Sequence, residues 1–228
     1  MNFVLIPGGW FGGWWYSDLA SELRRHGHTA YPVTLTGVGD RSHLLSPTTN
    51  LDTHIHDVVS VLEFERLDNV ILVGHSYAGM VITGVADRIP ERVAALVYSD
   101  AYVPADGQSC FELTSPLFQR IFLDGAAGDG ITVPVPAGAD PRATGHPLAS
   151  FLQRIRLTRE APADILREYI YLSEWEGTPF TAVYEQLQHD PSWRTHSLPT
   201  SHNVLADAPD EYLKLLLDIA DRATSPRS

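Results

Sequence analysis

The chain has 228 residues, 44% of them hydrophobic and 19% charged, which fits one globular domain and excludes a disordered or fibrous protein. Its formal net charge of −12 has the wrong sign for a phosphate-binding surface, so no nucleic acid is expected and the acidity reads as solubility. The single cysteine, Cys110, excludes an internal disulfide and suits a reducing compartment. Its neighbours offer neither a base nor a clear helix start, so it is expected to be inert packing.

The opening MNFVLIPGGW carries no basic region and no long apolar run. Neither a signal peptide nor a membrane span is expected, and the chain is placed in the cytoplasm. Phe3 to Ile6 reads as a buried strand, followed by a glycine-rich turn and a helix from about Trp14 to Arg25 that Gly27 ends. His28 to Val33 reads as a second strand and Thr34 to Asn50 as a loop. Leu51 to Leu67 has helical spacing, with Asp52 as its expected N-cap. Asn69 to Val73 is the most strand-like run, Met80 to Ile89 a helix stopped by Pro90, and Val93 to Tyr98 another buried strand. Glu168 to Leu172 and Trp193 to Leu198 supply two more strands. A final helix runs from about Pro209 to Ala220, and Thr224 to Ser228 is expected to fray.

Alternating strands and amphipathic stretches predict an α/β class with a mostly parallel sheet of about six strands and helices on both faces. The alternation breaks between Val103 and about Pro162, a stretch rich in Pro and Gly with helical patches at Leu117 to Leu123 and Ala149 to Leu157. A structureless loop of that length does not suit a compact domain. It is read as a small cap inserted over one end of the sheet, dividing the chain into a core of 1–102 and 163–228 and a cap of 103–162.

The chemistry centres on Ser76. The run Val70-Ile71-Leu72-Val73-Gly74-His75-Ser76-Tyr77-Ala78-Gly79 is a buried strand that enters a helix through a serine flanked by small residues. A nucleophile on such a sharp turn needs small neighbours two residues before and after it, here Gly74 and Ala78, with Gly79 next. A serine that merely caps the helix is the competing reading; the strand before it and the helix after it favour the nucleophile. After the first strand, Pro7-Gly8-Gly9-Trp10-Phe11-Gly12-Gly13-Trp14 lets backbone N–H groups approach the site, one of which could hold a developing oxyanion together with an N–H of the serine turn. A dinucleotide fingerprint fails here, because Trp10 stands where its second glycine is needed. The base should be a late histidine. His202 follows the last strand in Pro199-Thr200-Ser201-His202-Asn203, whereas the rivals His189 and His196 lie before and within that strand. His54 and His56 have the wrong spacing for a metal pair on a helix, and no metal or other cofactor is expected.

Taken together, LIPGGWFGGWW, LTGVGDRSHLLSP, LDTHIHDVVSVLEFE, VILVGHSYAGMVITGVADRIPERV, LVYSDAYVPADGQS and SHNVLADAPDEYLKLL make the chain resemble the bacterial esterase-like α/β-hydrolases related to plant methylesterases and hydroxynitrile lyases. The resemblance covers nearly the whole length. It implies an α/β-hydrolase fold that begins at the family's third strand, with the cap inserted after the sixth. It also implies Ser76 as nucleophile, His202 as base, and the N–H groups of Gly9 and Tyr77 as oxyanion hole.

Three departures stand out. Pro7 and Phe11 replace the two histidines of the first turn, and Trp175 falls where the family's acid, an aspartate, is expected. Asp100, at the end of the preceding strand, is the choice for that acid, with Glu174 and Glu176 as alternatives. The lyases use a lysine beside the histidine and a threonine in the first turn, where this chain has Asn203 and Gly8, so cyanogenic lyase chemistry is disfavoured.

The expected activity is hydrolysis of an ester, lactone or thioester through a Ser76 acyl-enzyme. Trp10, Phe11 and Trp175 suggest a small apolar or aromatic substrate. The alternative is a lyase or cyclase that uses His202 as base and the oxyanion hole for an enolate. The expected partner is a small-molecule substrate, with no nucleic acid and no membrane; the sequence leaves a homodimer open.

Overall fold

The computed structural model describes residues 1–159 and 164–224. Six strands form one sheet: β1 (Asn2–Ile6), β2 (Thr29–Pro32), β3 (Val70–His75), β4 (Val93–Ser99), β7 (Leu166–Leu172) and β8 (Arg194–Leu198). Their order is β2-β1-β3-β4-β7-β8, and every neighbouring pair is parallel. A parallel sheet is covered on both faces, which is why its inner strands read as unbroken apolar runs. Successive residues go to opposite sides. Val4, Ile6, Val70, Leu72, Leu96 and Tyr98 face one core, while Phe3, Leu5, Ile71, Val73, Ala95 and Val97 face the other.

The first core is closed by α2 (Leu51–Phe64) and α3 (Ala78–Arg88), the second by α1 (Ser17–Arg25) and α9 (Pro209–Thr224). Helix α2 begins one residue before the expected cap. The Asn50 side chain accepts from Thr53 N–H at 3.0 Å and the Thr53 hydroxyl closes a capping box, while Asp52 instead pairs with Arg88 on α3. The helix also stops at Phe64, short of Leu67.

Between β4 and β7 the chain forms α4 (Cys110–Leu113), α5 (Pro116–Ala126), α6 (Leu148–Leu152) and a two-stranded antiparallel ribbon of β5 (Thr132–Val133) with β6 (His146–Pro147). The expected patch at 149–157 is helical only as far as Leu152. Cys110 does open a helix, contrary to the expectation. The signal is Ser109-x-x-Glu112, a capping box in which the Ser109 side chain accepts from Glu112 N–H and Glu112 reaches back to Ser109 N–H. This segment is tied back to the core where Asp87 of α3 accepts from the N–H groups of Thr158 and Arg159 at 2.8 and 3.2 Å. The expected cap boundary at 162 and the frayed end beyond Thr224 lie outside the described residues.

α7 (Thr181–Leu187) and α8 (Val204–Asp207) complete the fold. The strand register fixes where the functional turns emerge. Ile6 pairs with Gly74, His75 with Ser99, Ser99 with Ile170, and Leu172 with Leu198. The segments that follow β1, β3, β4 and β8 therefore leave the sheet side by side at its carboxyl edge, where ligands of open α/β sheets bind.

Candidate active site

Ser76 occupies the turn between β3 and α3 with φ of +54°, a left-handed conformation that costs a non-glycine residue about 1–3 kcal/mol. The surroundings hold it there. Ser76 N–H donates to Ser99 O at 3.2 Å, and Ser76 O accepts from Gly79 N–H and Tyr102 N–H, each at 3.2 Å. The turn tolerates no bulk at two points. A Cβ on Gly74 would lie 2.8 Å from the Ala78 carbonyl oxygen, and one on Gly79 would collide with the Tyr102 carbonyl. The glycine absent from position 78 is thus needed one residue later.

Asp100 follows β4 in another left-handed residue, φ +44°, and is completely buried. Its N–H donates to Ile170 O at 2.7 Å and its Oδ1 accepts from Leu172 N–H at 3.4 Å, so β7 orients the carboxyl group. Oδ2 lies 2.6 Å from His202 Nδ1. Burial pushes the Asp100 carboxyl upward, opposed by nearby His75 and by the Leu172 N–H. Burial likewise pushes His202 downward, toward the neutral imidazole. With Nδ1–H directed at the carboxylate, Nε2 is the nitrogen that carries the lone pair.

The loop that carries His202 is fixed by Ser201, whose N–H and hydroxyl donate to the Asp207 carboxylate at 2.9 and 2.5 Å. A second histidine, to which the sequence assigns no role, also holds it. His75 Nε2–H donates to His202 O at 2.9 Å, and the two rings lie 4.3 Å apart. The Trp175 ring is 4.2 Å from that of His202.

The alternatives are placed elsewhere. Glu174 and Glu176 are exposed, and among the described residues neither carboxylate bonds to His202. His189 is exposed, and His196 bonds to the buried Glu168, which also pairs with Arg222 of α9.

Trp10, next to Gly9 in the turn after β1, has φ of +70°. The N–H groups of Gly9 and Tyr77 have no protein acceptor among the described residues, and both residues line the cavity that Ser76 and His202 also line. This cavity has a volume of about 390 Å³. Trp10, Phe11, Trp15, Phe118, Phe122 and Trp175 give it a largely aromatic wall. Cys110 forms part of the same wall, fully buried, with burial pushing its thiol upward. A thiol held protonated in this way is a poor nucleophile. His54 is buried and bonded on both ring nitrogens: its Nδ1 accepts from the Tyr77 hydroxyl at 2.9 Å and its Nε2–H donates to Thr36 O at 2.8 Å. His56 is exposed.

Comparison with known proteins agrees with this fold. The model of the alpha/beta hydrolase family matches residues 3–226. A carbendazim hydrolyzing esterase of Nocardioides sp. (strain SG-4G) is 39% identical over 236 aligned residues, covering 94% of this chain and 98% of the relative. The putative chloroplastic methylesterase 14 of Arabidopsis thaliana is 34% identical over 50% of this chain and 33% of its own length. Among solved structures, an extracellular alpha/beta-hydrolase from a Paenibacillus species superposes with a TM-score of 0.81 at 24% identity, over 96% of this chain and 98% of that one. A pyrethroid hydrolase from Sphingobium faniae JZ-2 gives 0.73 at 23% identity, over 97% of each chain. With the sheet order, the serine turn and a match that runs almost from end to end in agreement, the chain belongs to the alpha/beta hydrolase family.

Proposed function

We propose that the protein is a serine esterase in which Ser76, His202 and Asp100 act as a catalytic triad. The observation that carries this reading is the 2.6 Å contact between the buried Asp100 carboxylate and His202 Nδ1, beside a cavity that Ser76 and His202 both line. Ser76 Oγ attacks the ester carbonyl carbon while His202 Nε2 takes its proton. The N–H groups of Gly9 and Tyr77 receive the oxyanion of the tetrahedral intermediate. The imidazolium, stabilised by Asp100, protonates the departing alcohol. Water activated by the same histidine then attacks the acyl-enzyme and releases the acid.

The aromatic lining and the size of the cavity suit a small apolar or aromatic ester, and the esterase relative is named for hydrolysing carbendazim. The described residues from 103 to 159 serve as a cap, since Cys110, Phe118, Phe122 and Phe151 close the cavity from that side. The carboxylate of Asp100 on His202 Nδ1 favours hydrolysis over the lyase alternative, since it completes a triad despite Trp175. A threonine at position 8, as in the cyanogenic lyases, would also bring its Cβ within 2.9 Å of His75 Nδ1 and 3.0 Å of Ser76 Cβ. The lone cysteine, which suits a reducing compartment, favours a cytoplasmic enzyme. The supply of p-nitrophenyl acetate and a fluorophosphonate probe tests the chemistry directly. Wild type is expected to show turnover and a covalent adduct on Ser76, and Ser76→Ala to lose both, with turnover down by at least about 10³-fold. Undiminished hydrolysis by the alanine variant would overturn the acyl-enzyme.

A further inference from the structure

We infer that the β4–β7 segment is a working part of the oxyanion hole, and that His146 is a positioning residue which holds the Trp10 peptide so that the Gly9 N–H keeps its aim. The inference rests on the Ser76 esterase reading. Gly9 has no side chain to anchor it, so its neighbour must fix the turn, and every polar group of that neighbour is bound to one segment. Trp10 N–H donates to His146 Nδ1 at 3.2 Å, Trp10 O accepts from Thr144 N–H at 3.0 Å, and the indole N–H donates to Val133 O at 3.1 Å. These three bonds hold Trp10 at a φ of +70°, a conformation that a bulky residue does not keep unaided.

The polarity of His146 is dictated by its partners. A backbone N–H can only donate, so Nδ1 must be the acceptor and Nε2 must carry the hydrogen, which goes to Ser150 Oγ at 2.9 Å. The Ser150 hydroxyl passes its own hydrogen to Pro147 O at 2.8 Å. A proton on Nδ1 would set two N–H groups against each other. Complete burial opposes that proton, pushing His146 well below the ordinary histidine value. Phe151, stacked on the imidazole at 4.2 Å and 15°, fixes the ring plane. The second N–H of the hole, that of Tyr77, is backed in the same manner: the Tyr77 hydroxyl donates to His54, whose ring lies 5.7 Å from His146. Each side of the oxyanion hole thus leans on a buried neutral histidine.

The test compares His146→Asn with His146→Leu on p-nitrophenyl acetate. The asparagine oxygen stands where Nδ1 stood, whereas leucine has similar size and no acceptor. Loss of one oxyanion donor lowers kcat by about 10²- to 10³-fold, and loss of its aim should cost less. We expect the leucine variant to lose about 30-fold in kcat with KM within about threefold, and the asparagine variant to recover most of that loss. Inhibition by a boronic acid, which forms a tetrahedral adduct on the serine, should weaken in parallel with kcat in the leucine variant. Equal losses in the two variants, or wild-type kcat in the leucine variant, would overturn the inference. Should the leucine variant fail to fold, Ser150→Ala removes the partner of Nε2 and leaves Trp10 untouched. Ser150 also bonds the Tyr77 hydroxyl, so Tyr77→Phe, which keeps the Tyr77 N–H, is the control. A kcat about threefold or more below that control at constant KM supports the inference, and a kcat equal to the control's overturns it. Absence of Ser76-dependent turnover in wild type is a separate result, which overturns the esterase reading itself.

Discussion

At the scale of single residues, the proposed triad takes its acid from Asp100 rather than from the turn after β7. In this chain a tryptophan stands at the end of the β7 turn, its ring packed 4.2 Å from the histidine it would otherwise orient, and the carboxylate comes from the end of β4. Asp100 is held on two sides, by its own N–H to Ile170 and by Leu172 N–H to its carboxylate, as the proposed role requires. Replacing Asp100 by asparagine keeps the shape and removes the charge that fixes the Nδ1–H tautomer and stabilises the imidazolium. We expect kcat to fall by about 10³- to 10⁴-fold with KM little changed, while Glu174→Gln and Glu176→Gln stay within about twofold. The measurement is steady-state kinetics on p-nitrophenyl acetate, and a Glu174→Gln variant poorer than Asp100→Asn would reassign the acid. The sign of the pH dependence follows from the same pair. Activity needs Asp100 ionised and His202 neutral, and burial pushes Asp100 up to about 7. Turnover should therefore fall as pH drops through about 7 rather than through the usual carboxylate range near 4.

At the scale of elements, the serine turn shows how far a motif is legible. Gly74 and Ser76 are recognisable because a strand feeding a helix through small residues has few other uses. Ala78 looks like a flaw in that motif, and the structure explains it: the tightest approach falls at Gly79, against the backbone of Tyr102 in the turn that begins with Asp100. That contact joins the nucleophile turn to the acid turn. Gly79→Ala should cost about 3 kcal/mol, lowering Tm by about 6–12 °C in a domain of this size, whereas Ala78→Gly should cost about 1. Thermal melts of the two variants check it, and equal small shifts would show that the turn has room to give.

The inner strands were readable for a simple reason, since burial on both faces writes an apolar run into the sequence. The two-residue strands β5 and β6 carry no periodicity at all, and neither does the single turn of α4 beyond its capping box. His75, His54 and His146 were illegible as functional residues for a different reason. A lone histidine gains its meaning from the groups that face it, and those groups come from 127, 18 and 136 positions away in the chain.

At the scale of the whole molecule, those same histidines set its response to acid. His54 and His75 are pushed by burial from 6.5 down to about 4 and about 3, and His146 goes well below its ordinary value. His202 is lowered too, but Asp100 beside it is raised, so protonation of the pair contributes with opposite signs and largely cancels. For the other three the direction is common. Their folded values lie below the unfolded value, so each contributes stability that is complete above about pH 6.5 and is lost as pH falls toward the folded value. His54 alone, with a shift from 6.5 to about 4, accounts for about 3 kcal/mol between those limits. With His75, whose shift is larger, the sum is comparable to the whole stability of a typical domain, about 5–15 kcal/mol, and His146 acts in the same direction. The fold should therefore begin to lose stability below about pH 6.5, well above the range where carboxylates titrate. Unfolding at pH 5 should take up close to two protons on His54 and His75, and His146 adds to that number. Calorimetry in two buffers of different ionisation enthalpy measures that number, and His54→Asn should reduce it by about one and flatten the fall of Tm with pH. An unfolding transition that takes up no protons at pH 5 would mean that these rings are charged in the fold. The polarity assigned to His54 and His146 behind the oxyanion hole would then be wrong as well, because neither ring could accept a hydrogen bond at Nδ1.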